Sequence, residues 1–148
     1  MKIYQSRYNK LPGSTYQEIS QNAHRVYHEI KQRTRRNPYV RSAYFKKNKI
    51  FLDLFWSHLD QKTRRDRISR LKYYKCGIDL LRKSYLIPES RPNPNGKNEI
   101  VHRFAGQAKD GGLFFVQVKE DRRGNKYLMS IFPGWIATKK ERPHKCSI

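Results

Sequence analysis

Between residues 99 and 132 the hydrophobic pattern changes to a period of two, and no other feature of the chain narrows its possible folds as much. Three segments, 99–105, 113–120 and 126–132, alternate side chains of different character, as strands with one covered face do. The connections contain Lys109-Asp-Gly-Gly112 and Asp121-Arg-Arg-Gly-Asn125, short runs rich in the residues that tight turns require. Strands joined so briefly are antiparallel neighbours. The C-terminal half is therefore expected to be a three-stranded meander, and the rest of the chain must cover it.

The upstream pattern supplies that cover. Residues 15–35 read as an amphipathic helix, opened by the capping-box sequence Thr15-Tyr-Gln-Glu18 and carrying Ile19, Ala23, Val26, Tyr27 and Ile30 at helical spacing. Asn37-Pro38 ends it. Residues 49–56 read as a strand covered on both faces. Residues 60–84 read as a helical region with apolar positions Ile68, Leu71, Tyr74, Ile78 and Leu81, divided near Gly77. Residues 85–97, with three prolines, read as a loop. The expected fold is α+β: a four-stranded antiparallel sheet, built from one strand, a helix pair and the meander, packed on helices. Three parts follow: an N-terminal basic amphipathic helix (1–37), a central domain (38–135) and a basic tail (136–148).

Charge narrows the partners. Lys and Arg number 33 against 12 acidic residues, a net charge of +21 in 148 residues. A compact body this cationic repels itself unless a polyanion relieves it, and nucleic acid does so with release of counterions. RNA is the expected partner, with DNA as the second choice. The densest stretch runs from residue 62 to 83, and its Lys62, Arg64, Arg65, Arg67 and Arg70 are candidate phosphate contacts. Arg33, Arg35 and Arg36 at the end of the first helix are others. A membrane partner is not expected, because the longest apolar runs are far too short to span a bilayer. The N-terminal residues carry no apolar secretion signal, and two distant cysteines, Cys76 and Cys146, form no disulfide framework; both suit a reducing cytoplasm.

No cofactor is indicated. His24 and His28 share a helix face but lack the Glu of a zinc-protease motif and a third ligand. His144-Lys-Cys146 is a weaker pair, and the acids are too scattered for a two-metal nuclease. Metal-free chemistry on RNA is open, since its 2′-hydroxyl can attack the adjacent phosphate when a base takes the proton and cations hold the extra charge. Phe115, Gln117 and Lys119 fall on one strand face; Leu128, Ser130 and Phe132 fall on one face of the next. Val116, Val118, Tyr127, Met129 and Ile131 are the core candidates. Lys119 and Ser130 thus share the more polar side. His102 and Arg103 point to opposite faces, and alternation does not decide which reaches that side. His58, at the junction after the first strand, offers a second imidazole. His58, His102, Arg103, Lys119 and Ser130 are the candidate catalytic residues.

The order of these pieces resembles the phage and mobile-element nucleases of the barnase, EndoU, colicin and RelE superfamily. The likeness rests on a His after the first strand in Lys49-Ile-Phe-Leu-Asp-Leu-Phe-Trp-Ser-His58, and on the aliphatic helix end Gly77-Ile-Asp-Leu-Leu-Arg82. It rests also on a hydroxyl ahead of an aromatic-Pro pair in Tyr127-Leu-Met-Ser-Ile-Phe-Pro133, and on the polar pair within Ile100-Val-His-Arg-Phe-Ala-Gly106. It covers residues 41–133. The resemblance implies an endoribonuclease with toxin-like action against translation, and leaves room for an inhibitor or antitoxin protein as partner. A non-catalytic RNA- or DNA-binding module and a structural RNA-associated protein are the competing readings.

Overall fold

The structure is a computed structural model and describes residues 2–135. The meander is its centre. Strands β5 (Ile100–Gln107), β6 (Leu113–Glu120) and β7 (Lys126–Pro133) pair antiparallel in sequence order. Four short strands extend this unit. β1 (Ile3–Gln5) runs parallel to the end of β5, while β4 (Glu89–Pro92) runs antiparallel to its beginning. On the other side β3 (Lys49–Phe51) pairs parallel to β7, and β2 (Tyr39–Arg41) pairs antiparallel to β3. The β2–β3 turn folds back over the sheet, so that the Phe45 ring meets His102 and Phe104 of β5, with centroids 4.9 and 6.0 Å away.

The α+β mixture is as expected, but a four-stranded antiparallel sheet is not what forms. The sheet has seven strands and is mixed. The reason is physical. β1, β2 and β4 are three or four residues long, too short for a period of two to show. β3 and β7 are separated by three helices and three strands, so no short connection dictates their relative direction, and a long crossover permits parallel pairing.

The segment expected to be one strand over 49–56 leaves the sheet at Phe51. Helix α2 (Asp53–Leu59) begins there, burying Phe55 and Leu59. The helical region expected over 60–84 is two helices, α3 (Arg64–Leu71) and α4 (Tyr74–Lys83). The break falls at Lys72-Tyr73 rather than at Gly77. Gly77 lies inside α4 because the helix presses on the sheet there: a Cβ would stand 2.6 Å from Ile131 Cδ1 and 3.4 Å from Val116 Cγ2. Helix α1 (Tyr16–Arg33) starts with the capping box its sequence announces, Thr15 Oγ1 accepting from Glu18 N and Glu18 Oε1 from Thr15 N, each at 3.2 Å. Its Ile19, Ala23 and Ile30 join the common core.

One irregularity sorts the two faces of the meander. Between Gln117 and Val118 the pairing with β7 shifts, since Gln117 faces Ser130 whereas Val118 faces Leu128. Met129 is the extra residue of a bulge. Leu128 therefore enters the core, fully buried, beside Ile131, Val116 and Val118. Tyr127 and Met129, expected in the core, move to the outer face. Simple alternation misassigns all three.

Candidate active site on the outer face of the sheet

Helix α4 covers one face of the meander. The other presents three rows across β5, β6 and β7: Val101–Lys119–Tyr127, Arg103–Gln117–Ser130 and Ala105–Phe115–Phe132. These rows place cations, a hydroxyl–amide pair and an aromatic pair side by side. Ser130 Oγ donates to Gln117 Oε1 at 2.9 Å. Phe115 and Phe132 lie with centroids 5.7 Å apart, and the Arg103 guanidinium sits 5.5 and 5.6 Å from them. Lys119 Nζ is 5.6 Å from the Tyr127 ring and 3.8 Å from Glu99 Oε2.

A second guanidinium reaches the same aromatic pair from outside the sheet. Arg70, near the end of α3, lies 5.6 Å from the Phe132 centroid. It is 3% exposed, its Nε has no hydrogen-bond partner, and its nearest carboxylate oxygen, on Asp66, is 3.8 Å away. Burial weakens its hold on its proton and Asp66 opposes that, yet an arginine keeps its charge under such conditions. A buried guanidinium with an idle Nε is costly to fold around, and the Phe132 ring it meets is itself buried.

His58 closes this group. Half-buried at the end of α2, it has its proton affinity lowered first by burial and then by the charges of Lys62, Lys119 and Arg70. An imidazole held neutral near pH 7 among cations is suited to accept a proton. The cations beside it are suited to hold phosphate oxygens. Two clefts flank the rows. One of about 670 Å³ lies between Arg91, Asn93 and Asn95 on one side and Arg103, Gln117 and Met129 on the other. The second, of about 540 Å³, is walled by Phe51, Ser57, Asn125 and Tyr127. Among the described residues no group of three or more His, Cys, Asp or Glu side chains could hold a metal ion.

Of the sequence candidates, His58, Arg103, Lys119 and Ser130 come to this side of the sheet. His102 does not. It occupies the core face of β5, 8% exposed, with Nδ1 2.6 Å from Ser90 Oγ and Nε2 2.8 Å from Glu120 Oε1. Both ring nitrogens are engaged, and the ring edge packs on Phe45. It is a satisfied interior histidine.

The basic residues named as candidate phosphate contacts take up different places. Arg67 is used internally, its Nε donating to Lys62 O and its Nη2 to Asp60 O at 3.0 and 2.7 Å. Arg64 rests 5.3 Å over the Tyr16 ring of α1, and Arg65 is exposed. Lys62 stands beside His58. Arg35 and Arg36 are exposed beyond α1, whereas Arg33 lines a cleft on the far side of α4. Of the two helix histidines, His24 stacks on Trp56 at 4.2 Å. The basic tail, with His144 and Cys146, lies outside the described residues.

The sequence reading overlooked the distinct role of Arg70, and with it Gln117, Phe115 and Phe132. A signal existed for the last two: they are aromatics at facing positions on the strand side otherwise read as polar. Arg70 gives none, because burial of one arginine in a basic helix depends on how that helix docks. Among the described residues no helix is long and apolar enough to cross a membrane. Comparison of the chain with family models, with curated proteins and with solved structures finds no match.

Proposed function

We propose that the protein is a metal-independent endoribonuclease whose active site is the outer face of the meander. The observation that carries this reading is the grouping on one sheet face of Lys119, Arg103 and the Ser130–Gln117 pair, with the buried Arg70 guanidinium against the same Phe132 ring as Arg103 and the charges of Arg70 and Lys119 lowering the proton affinity of His58. In this reading neutral His58 takes the proton of a ribose 2′-hydroxyl as that oxygen attacks the adjacent phosphorus. Arg70, Arg103 and Lys119 stabilise the added charge of the phosphorane. The Ser130–Gln117 pair holds a phosphate oxygen or the ribose. The P–O5′ bond breaks as the departing 5′-oxygen takes a proton from solvent and leaves as a hydroxyl, His58 gives its proton back to solvent, and the other product ends in a 2′,3′-cyclic phosphate. The two flanking clefts give the strand a path on either side of the scissile bond. The likeness to the barnase, EndoU, colicin and RelE nucleases supports the same assignment, through the His at the end of α2 and the Ser ahead of Phe132-Pro133.

The test is incubation with total RNA in EDTA, comparing the unaltered protein with His58→Ala. Discrete fragments are expected from the former only, with RNA binding retained by the variant. A substrate carrying 2′-deoxyribose at the cleavage position should resist. Cleavage of that substrate, or activity lost in EDTA and restored by magnesium, would refute the mechanism. RNA binding without cleavage by the unaltered protein would leave a binding module instead.

A further inference from the structure

On the side of α4 turned from the sheet there is a cleft of about 600 Å³ between α4, α1 and the segment after β1. Its rim carries six cations from three separate parts of the chain: Arg7, Arg25, Arg33, Lys75, Arg82 and Lys83. Its floor is apolar, made by Leu11, Val26, Ile30 and Ile78. Two acids are present. Asp79 is already engaged, its Oδ2 accepting from Tyr4 Oη, Ser6 Oγ and Arg7 N at 2.9, 3.1 and 3.2 Å. Glu29 makes no ion pair among the described residues. Among the described residues, Arg7 alone of the six cations is ion-paired, at 3.7 Å to Asp79. Lys75 and Arg7 instead bracket the Tyr8 ring, 4.5 and 5.7 Å from its centroid.

In a chain of net charge +21 a basic surface patch is expected anywhere. This one differs in being concave and convergent. Like charges gathered around one hollow repel each other, and the low-dielectric walls focus their field into it. A single nucleic-acid strand answers both parts of the site. Its phosphates can line the rim, while an unstacked base or ribose lies on the apolar floor. A duplex presents a convex surface with its bases stacked inside, and cannot lower either into a hollow of this size. We propose that the α1–α4 cleft binds a single-stranded RNA segment, at a site separate from the outer face of the sheet. The inference rests on the protein's being an RNA binder but not on its cleaving RNA.

The experiment measures binding alone, in the full chain carrying His58→Ala so that no cleavage intervenes. Affinity for a single-stranded oligoribonucleotide is followed against salt, with and without Arg25→Gln, Lys75→Gln and Arg82→Gln together. A second triple variant, Lys46→Gln, Lys47→Gln and Lys49→Gln, removes equal charge from the exposed β2–β3 turn. At about 0.7 in log–log slope per phosphate, losing three contacts lowers the slope by about 2 and the affinity at 0.15 M salt about 50-fold. The turn variant is expected to lose less than about 5-fold, and neither variant should change duplex affinity by more than that. Equal losses in the two triple variants, or equal losses for duplex and single strand, would overturn the proposal. So would unchanged RNA affinity accompanied by loss of binding to a polyglutamate peptide, which would assign the cleft to an acidic protein segment. Absence of RNA binding by the chain before any cleft substitution is a different failure, that of the functional reading itself.

Discussion

Arg70→Met separates a functional arginine from a structural one. In the folded protein this guanidinium is almost wholly buried and its Nε has no hydrogen-bond partner. Removing it relieves a desolvation cost of about 1–3 kcal/mol. The substitution also forfeits the contact with the Phe132 ring, about 0.5–2 kcal/mol. The pairing with Asp66 at 3.8 Å is lost too, about 0–1 kcal/mol because Asp66 is partly solvated. Methionine keeps the apolar stem that fills the space. These contributions nearly cancel, so urea or thermal unfolding should shift by less than about 1 kcal/mol, which is a few degrees in Tm for a chain of this length. Cleavage should nevertheless fall about 10²–10³-fold, the usual cost of losing one charge-stabilising donor. Stability measured beside the rate of fragment formation decides the matter. A loss of several kcal/mol with the rate per folded molecule intact would make Arg70 a structural residue and refute the reasoning.

Three other outcomes follow from the same contacts. His58 holds its proton less tightly than an ordinary histidine, chiefly through burial, so the acid limb of kcat/KM should lie below about pH 6.5. Because the unfolded chain binds that proton more readily, the associated stability is full above about pH 6.5 and is lost on acidification. Lys119→Gln removes one of the repelling charges and should move the limb upward; a limb that stays in place in this variant would show that His58 is not the titrating base. His102→Ala removes a buried ring together with its bonds to the exposed Ser90 and the partly exposed Glu120 and should cost about 1–3 kcal/mol in urea unfolding, while a large fall in the cleavage rate of its folded fraction would restore His102 to the site. Gly106→Ala would set a Cβ 2.5 Å from Phe114 Cζ and 2.9 Å from Leu80 Cδ1, destabilising by about 1–3 kcal/mol, with partial relief expected from Phe114→Leu; an unchanged Tm would show that α4 yields easily.

The meander, the capped first helix and the outer-face grouping of Gln117, Lys119 and Ser130 were legible because each rests on local sequence pattern. What was not legible depended on docking. β1 and β4 share one edge of β5 by meeting different halves of it, an arrangement no pattern within three residues can announce. The end of β3 at Phe51 was hidden because residues 49–56 fit two templates, with Leu52, Phe55 and Leu59 falling at helical spacing while Ile50, Leu52 and Leu54 alternate. The bulge at Met129 inverted the assignments of Tyr127, Leu128 and Met129 and left Ser130 and Phe132 correct. His102 shows the limit of alternation, which opposes it to Arg103 but does not say which of the two meets Ser90 and Glu120.

The two parallel pairings bear on how the molecule forms. Ile3 meets Ala105, and Ile50 meets Lys126, so each pairing closes a loop spanning most of a domain's length before any contact compensates the lost chain entropy. High contact order of this kind places folding in the slow range, milliseconds to seconds. The consequence falls on the residues proposed to react: His58 and Arg70 precede the meander, whereas Arg103, Lys119 and Ser130 lie within it, and β3 and α2 dock on the last strand of the described chain. The two sets become neighbours only in that late, non-local step. Fragments cut between α4 and β5 would divide the proposed reacting groups, so that neither half alone could cleave RNA.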